Sequence, residues 1–342
     1  MTDMAALLEP RSVLIATDFS QPSEKALRYS LALARLYGSR FCLAHVVSSL
    51  GLTIAGPEAI AACEEAALRD AAQLEASLVR TGALAGIQYK FIVRQGELWP
   101  ELREIIREES TDLLVVGTHG RQGVGKLFFG SVAEQIFRQS ACPVLIFGPH
   151  SQQLPWIASP SRTRTFLFAT DFGQASLRAL SHSIAVANHF KAKLVFLNVI
   201  PAVPPPRSPL HAGTDLGKSQ ENGYQMALQH VAELVRNENL EVRPEYRVEF
   251  ESNKPISEWI LETAERLRAD LIIMGSHSST QFGAMSHLNS TTAYDVVCHA
   301  ASPVLTVNCA SGKGHIGSRA SQVTMPPLSD TDLIRLRGLG VK

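Results

Sequence analysis

The sequence predicts an α/β fold: two tandem doubly wound, Rossmann-like domains, each with a five-stranded parallel sheet covered by helices on both faces. Three observations lead there. The chain is written twice. From Val13 it reads VLIATDFSQPSEKALRYSLALARLYGSRFCLAHVV, and this aligns without a gap to FLFATDFGQASLRALSHSIAVANHFKAKLVFLNVI from Phe166, with A-T-D-F-x-Q-x-S-x-x-A-L common to both. TDLLVVGTHG at Thr111 then matches ADLIIMGSHS at Ala269, and ACPVLIF at Ala141 matches ASPVLTV at Ala301, in the same order. A period of about 150 residues is too long for a solenoid and marks a duplicated domain. Within each copy, short uninterrupted apolar runs such as LLVV alternate with helix-patterned stretches. Strands buried on both faces of a parallel sheet read that way. Right-handed crossovers make such an alternation doubly wound and place ligands at the carboxyl ends of the strands.

Taken in order, residues 12–17 are a β-rich run. Residues 21–36 carry Ala26, Leu27, Ser30, Leu31 and Ala34 at helical spacing, opened by Ser20 as N-cap with Pro22 in the first turn. Residues 41–47 form a second strand and the Ala/Glu-rich stretch 57–78 a long helix with a solvated face. A third strand over 88–93, a helix over 100–109, a fourth strand over 113–116, a helix over 131–139 and a fifth strand over 144–147 complete the copy. Trp99 and Trp259 precede or open helices in matching places and are read as packing residues. The domains are drawn at residues 1–148 and 165–309. A Pro-, Ser- and Gln-rich linker joins them over 149–164, and an aperiodic C-terminal tail occupies 310–342.

Composition excludes several classes of function. The 32 Lys and Arg balance the 32 Asp and Glu, without the basic excess that nucleic acid or an anionic membrane surface selects. No run approaches the 18 apolar residues of a membrane span, and the acidic N-terminus MTDMAALLEPRS is no signal peptide. Five scattered cysteines never form C-x-x-C, as expected of reduced thiols in a cytoplasmic protein. His277, His287, Cys298 and His299 match no metal-ligand spacing. No metal site and no catalytic set is expected.

The stretch VVGTHGRQGVGKLFFGSVAE, from Val115 to Glu134, carries the chemistry, and it can be read in two frames. From Gly120 it is G-x-x-x-x-G-K, most of a P-loop. Leu127 then stands where a P-loop needs the Ser or Thr hydroxyl that holds magnesium. From Gly117 it is G-x-x-G, nine residues, then Gly130-Ser131. This frame fits the topology. Gly117 ends the fourth strand and Gly120 allows a turn. Gly130-Ser131 opens the next helix, whose N–H groups and dipole favour phosphate. Arg121 and Lys126 are counter-charges inside the loop, and Asp18 ends the first strand.

These residues resemble the universal stress proteins in their tandem form. The resemblance rests on ATDFS at Ala16, His45-Val46, DLLVVGTHGR at Asp112, Gly130-Ser131 and CPVLIF at Cys142, and it covers both copies. The G-x-x-G-x9-G-S/T spacing is that of the family's ATP-binding branch. By position the resemblance implies adenine contacts from Ala16 and the Val46 backbone, and an adenosine contact from Asp18. Ribose and phosphate contacts come from Gly117, Thr118, His119, Gly120, Arg121, Gln122 and Gly123, with Lys126 as a helper. Gly130, Ser131 and Val132 close on the phosphates. The implied ligand is ATP, with or without Mg2+. The implied role is a nucleotide-dependent stress-response or regulatory module with at most slow ATP hydrolysis, acting on an unidentified protein partner. Such domains pair through their last strands. A tandem chain supplies both partners itself, and a homodimer is the other arrangement. A nucleotide-hydrolysing or nucleotidyl-transferring enzyme and a ligand-free scaffold are the alternatives; DFSQPS lacks the glycine-rich loop that an adenylating relative wants after strand one.

The second copy departs from the pattern. Gly120 becomes Ser278, Arg121 becomes Ser279, and Gly130-Ser131 becomes Ser290-Thr291 with two residues more between. No lysine remains in its loop, while Asp171 survives. The second copy is therefore expected to be mainly structural or regulatory, without phosphate affinity.

Overall fold

The alternating apolar runs assemble into one sheet. The computed structural model describes residues 10–19, 21–48, 56–117, 136, 139–151, 163–171, 173–200, 225, 229, 245–250, 254–276 and 292–308. In the first copy, β1 (Ser12–Ala16), β2 (Arg40–Ser48), β3 (Tyr89–Gly96), β4 (Leu113–Gly117) and β5 (Val144–Phe147) alternate with α1 (Gln21–Tyr37), α2 (Pro57–Arg80) and α3 (Leu98–Glu108). In the second, β6 (Thr165–Ala169), β7 (Lys193–Ile200), β8 (Glu245–Phe250), β9 (Leu271–Ser276) and β10 (Val304–Asn308) alternate with α4 (Gln174–His189), α5 (Ile256–Leu267) and α6 (Thr292–His299). The predicted helix over 131–139 lies almost wholly outside the described residues.

The strand order is β3-β2-β1-β4-β5-β10-β9-β6-β7-β8. Within each copy every neighbouring pair is parallel. The copies meet where β5 and β10 pair antiparallel, Val304 opposite Ile146, Leu305 opposite Leu145 and Thr306 opposite Val144. The chain thus joins its two halves through their last strands in one continuous sheet, and residues 1–310 form a single compact unit.

Period-two alternation explains the two cores. Leu14, Leu114 and Val116 face one side, with Leu102 and Ile105 of α3, Ile260 of α5 and Val296 of α6. Val13, Ile15 and Val115 face the other, with Ala26 and Leu27 of α1 and Ala179 and Leu180 of α4. Both clusters run through the seam between the copies. Trp99 is buried in the first cluster. Trp259 packs at its margin, with the Lys254 ammonium 3.6 Å from its ring centroid. The two tryptophans do not occupy matching places: Trp99 is the second residue of α3 and Trp259 the fourth of α5. Cys42 and Cys142 are buried free thiols, Cys298 is buried, and Cys63 is exposed on α2. Burial pushes the Cys42 thiol up to about 12 and the Cys142 thiol up to about 11, so neither is a nucleophile at neutral pH.

At the amino ends of the strands the copies share a clamp. Asp112 Oδ2 accepts hydrogen bonds from the Arg11 and Ser12 amides at 2.8 and 3.0 Å, and Asp270 Oδ2 accepts one from the Thr165 amide at 2.9 Å. The aspartate that precedes the fourth strand of each copy therefore fixes the start of the first. This is the structural reason for the shared D-L-[LI] at Asp112 and Asp270.

Candidate functional site

At the opposite, carboxyl ends, the chain turns from β1 into α1 between neighbours on both sides. β2 and β3 lie on one flank of β1, β4 and β5 on the other. The crevice beside β1 is therefore a topological switch point, where open α/β sheets place their ligands. Four of the sequence-predicted site residues converge here. Ala16 ends β1 opposite Ala44 of β2 and Val116 of β4. Val46 is buried two residues beyond Ala44, Gly117 ends β4, and Asp18 follows β1 half-buried.

The turn is built by short polar contacts. The Thr17 amide donates to the Ala44 carbonyl at 2.9 Å, extending the ladder one step past β1. His45 Nδ1 lies 2.7 Å from the Thr17 carbonyl, and its ring stacks at 4.7 Å on Phe19, which adopts a left-handed φ of 57°. Ser23, in the first turn of α1, donates its hydroxyl to Asp18 Oδ1 at 2.7 Å. That bond holds the carboxylate in one orientation at the rim of the crevice.

The second copy repeats the design almost atom for atom. The Thr170 amide donates to the Leu197 carbonyl at 2.9 Å, and Ser176 donates to Asp171 Oδ1 at 2.6 Å. Asn198 takes the place of His45 and donates from Nδ2 to the Thr170 carbonyl at 2.8 Å. The Gly173 amide also donates to Asp171 Oδ1, at 2.8 Å. Gly275, equivalent to Gly117, packs against the start of α4: a Cβ there would lie 2.3 Å from the Ala175 carbonyl carbon and 2.5 Å from the Ser176 amide nitrogen. A glycine ending this strand is thus required by close approach of the chain's own helix. A cavity of about 280 Å³ opens at this second switch point, at the carboxyl ends of β6, β7 and β9 and beneath α5 and α6.

The other predicted contacts, Thr118, His119, Gly120, Arg121, Gln122, Gly123, Lys126, Gly130, Ser131 and Val132, lie outside the described residues. Sequence reasoning did not single out Ser23 and Ser176, although the shared Q-x-S spacing carried them. His45 carries no sequence signal of its role beyond its place before Val46, and the cavity of the second copy leaves no mark in the sequence. No group of three or more His, Cys, Asp or Glu side chains capable of holding a metal ion occurs among the described residues, and no helix among them is long and apolar enough to cross a membrane.

Comparison with known proteins agrees with the duplication. The model of the universal stress protein family matches twice, over residues 10–148 and 162–308. A universal stress protein of Mycolicibacterium smegmatis is 25% identical over 308 residues, covering 86% of this chain and 96% of the relative. One from Thermus aquaticus is 28% identical over 137 residues, which are 40% of this chain and 97% of that protein. The crystal structure of a universal stress protein from Archaeoglobus fulgidus superposes with a TM-score of 0.62 at 20% identity, covering 88% of this chain and 97% of that one. With both copies matched over most of the sequence, the chain belongs to the universal stress protein family.

Proposed function

We propose that the first copy, residues 1–148, binds ATP, carried free or as its Mg2+ complex, and that the chain is a nucleotide-dependent stress-response module of the cytoplasm. The observation that carries this reading is the convergence of Ala16, Val46, Gly117 and a Ser23-held Asp18 on the switch point of β1, immediately before the G-x-x-G-x9-G-S sequence. The adenosine end meets the apolar Ala16 and Val46, and Asp18 accepts from the nucleoside. The segment from Thr118 through Gly123, with Gly130, Ser131 and Val132, holds ribose and phosphates through backbone N–H groups and the helix start. Arg121 and Lys126 add charge. No nucleophile or carboxylate pair is assigned to the site, so hydrolysis is at most slow and the nucleotide acts by biasing conformation or partner choice. The linker over 149–164, the second domain over 165–309 and the tail over 310–342 complete the organisation.

Calorimetric titration of ATP tests it. About one ATP binds per chain, because the second copy has lost Gly120, Arg121 and Lys126 equivalents. Gly130→Val abolishes binding with the thermal transition of the free protein nearly unchanged. Lys126→Ala costs roughly 1–2 kcal/mol, about ten- to thirtyfold, and Asp18→Ala weakens ATP and adenosine alike. Two equal ATP sites, or loss of all binding through Lys126→Ala with Asp18→Ala silent, overturns the assignment. Mass spectrometry of nucleotide released on denaturation identifies the ligand directly.

A further inference from the structure

We propose that the first copy carries a docking surface for a short acidic, amphipathic segment of another protein, at the amino ends of its strands. This goes beyond nucleotide binding and does not rest on it, because the surface lies at the end of the sheet opposite the crevice beside β1. Among the described residues four large apolar side chains are exposed, and three of them gather here: Leu36 at 49%, Val79 at 53% and Tyr89 at 37%. Leu36 is next to last in α1 and Val79 next to last in α2, while Tyr89 opens β3. The helices of right-handed crossovers run back against their strands, so both helix ends and the strand start share one edge. Two contacts fix this. Arg35 of α1 donates to the Ala83 carbonyl, just past α2, at 2.8 Å, and Phe41, five residues after Leu36, pairs with Tyr89. The Tyr89 ring meets that of Phe91 edge-on, 6.0 Å between centroids, on the face that α1 covers.

The turn between α2 and β3 joins these side chains into one area. Residues 81–88 read TGALAGIQ, without a charge. Thr81, Gly82, Ala85 and Gly86 are exposed there, while Leu84 and Ile87 are buried in the core. Leu36, Val79 and Tyr89 therefore border a continuous surface of low polarity. Single exposed apolar residues are ordinary, whereas a contiguous group marks a binding surface. The fold does not demand it. Repeat alignment puts His189 where Leu36 stands, and strand register puts Glu245 where Lys90 stands.

The charges set the class of partner. Arg35 and Arg80 lie in the last turns of α1 and α2, and Arg11, Arg40 and Lys90 stand at the starts of β1, β2 and β3. Two carboxylates adjoin them, and both are engaged inward. Glu109 is 7% exposed, with Lys90 Nζ at 2.6 Å and Arg40 Nε at 4.0 Å, and Asp112 accepts from the Arg11 and Ser12 amides. Cations are thus in excess at this edge, although over the whole chain 32 balance 32. An apolar centre with a basic rim selects a segment that carries apolar anchors on one side and Asp or Glu beside them. The overall charge balance and the small apolar area argue against a bilayer, which is held by clustered Lys and Arg over a broad face.

Selection from a library of random twelve-residue peptides on the full chain tests this. The enriched peptides carry Leu, Ile or Phe with an excess of Asp and Glu, and their affinity, read by fluorescence anisotropy, falls as salt is raised. Val79→Asp and Leu36→Asp each weaken them about tenfold, with the thermal transition nearly unchanged, since both side chains are about half exposed. Arg80→Glu weakens the same peptides. Leu68→Asp, equally exposed on α2 but about 16 Å from Val79 along the helix, leaves them bound as before. If the selected peptides show no acidic excess, if they bind the Val79→Asp and Leu36→Asp chains as well as the unaltered one, or if Leu68→Asp weakens them equally, the inference fails. It fails too if phosphatidylserine vesicles retain the chain while no peptide does. A chain that takes up the selected peptides but no ATP refutes the nucleotide assignment and leaves this surface standing; one that binds ATP but no peptide does the reverse.

Discussion

Asp18 and Asp171 show how far single residues can be read. A carboxylate after the first strand was legible in both copies, as a candidate site residue in the first, but its orientation was not, because the serine that fixes it is five positions on and meets it only once α1 or α4 has formed. The clamps at Asp112 and Asp270 were hidden for the same reason, since their partners are about a hundred positions away in sequence. Glycine gives the sharpest lesson. A glycine at the end of a strand beside a ligand crevice leaves room for close approach. At Gly275 the atoms in the way are the Ala175 carbonyl and the Ser176 amide of α4, backbone that cannot swing aside. Gly275→Ala therefore forces β9 and α4 apart. It is expected to destabilise the chain by roughly 1–3 kcal/mol, as overpacking does, read as a lowered urea midpoint with unchanged slope. A midpoint equal to that of the unaltered chain would show that the helix start yields freely.

Element by element, the strands were the most legible, because a run buried on both faces is apolar at every position; β5 falls where the pattern put it. Edges were less so. Helix α3 begins at Leu98, two residues before Pro100, where the sequence pattern starts it. Pro100 is in the first turn, where its missing N–H would have no intrahelical partner anyway, and Trp99 is thereby carried into the core. What periodicity could not reveal is contact between elements of different copies. Just past β5, a Cβ on Gly148 would lie 2.5 Å from the Val297 carbonyl of α6 and 3.7 Å from that of Ala300. On the other face, the Tyr37 ring at the end of α1 lies 4.9 Å from His189 at the end of α4. Both are seam contacts. Gly148→Ala is expected to strain the passage of β5 over α6 and to lower the thermal transition by several degrees, with parallel sheet signal retained by circular dichroism. A thermal transition unchanged by Gly148→Ala would show that the Val297 carbonyl yields to the added methyl and that the seam is not tightly packed there.

On the scale of the whole molecule, the duplication was fully visible in sequence, while the single sheet was not, because strand order is a property of packing. The register at the seam gives it a symmetry. Repeat alignment equates Val304, Leu305 and Thr306 with Val144, Leu145 and Ile146, and the pairing runs Val304 to Ile146, Leu305 to Leu145, Thr306 to Val144. The two halves are therefore related by a pseudo-twofold axis through the Leu145–Leu305 pair, the arrangement in which one surface meets its own copy. Joining the halves in one chain fixes each β5 edge to a β10 edge at high effective concentration and removes two exposed strand edges that would otherwise invite foreign pairing. Residues 1–148 produced alone lose that cover. They are expected to form a twofold dimer with Leu145 opposite Leu145, seen as twice the monomer mass in sedimentation, and to exchange into a heterodimer when residues 162–310 are added. Ile146→Pro removes a ladder donor that faces β10 at the seam and is expected to abolish the dimer. If the half-chain instead sediments as a soluble monomer at every concentration, the edge of β5 is inert and the pairing in the intact chain is a consequence of the linker alone.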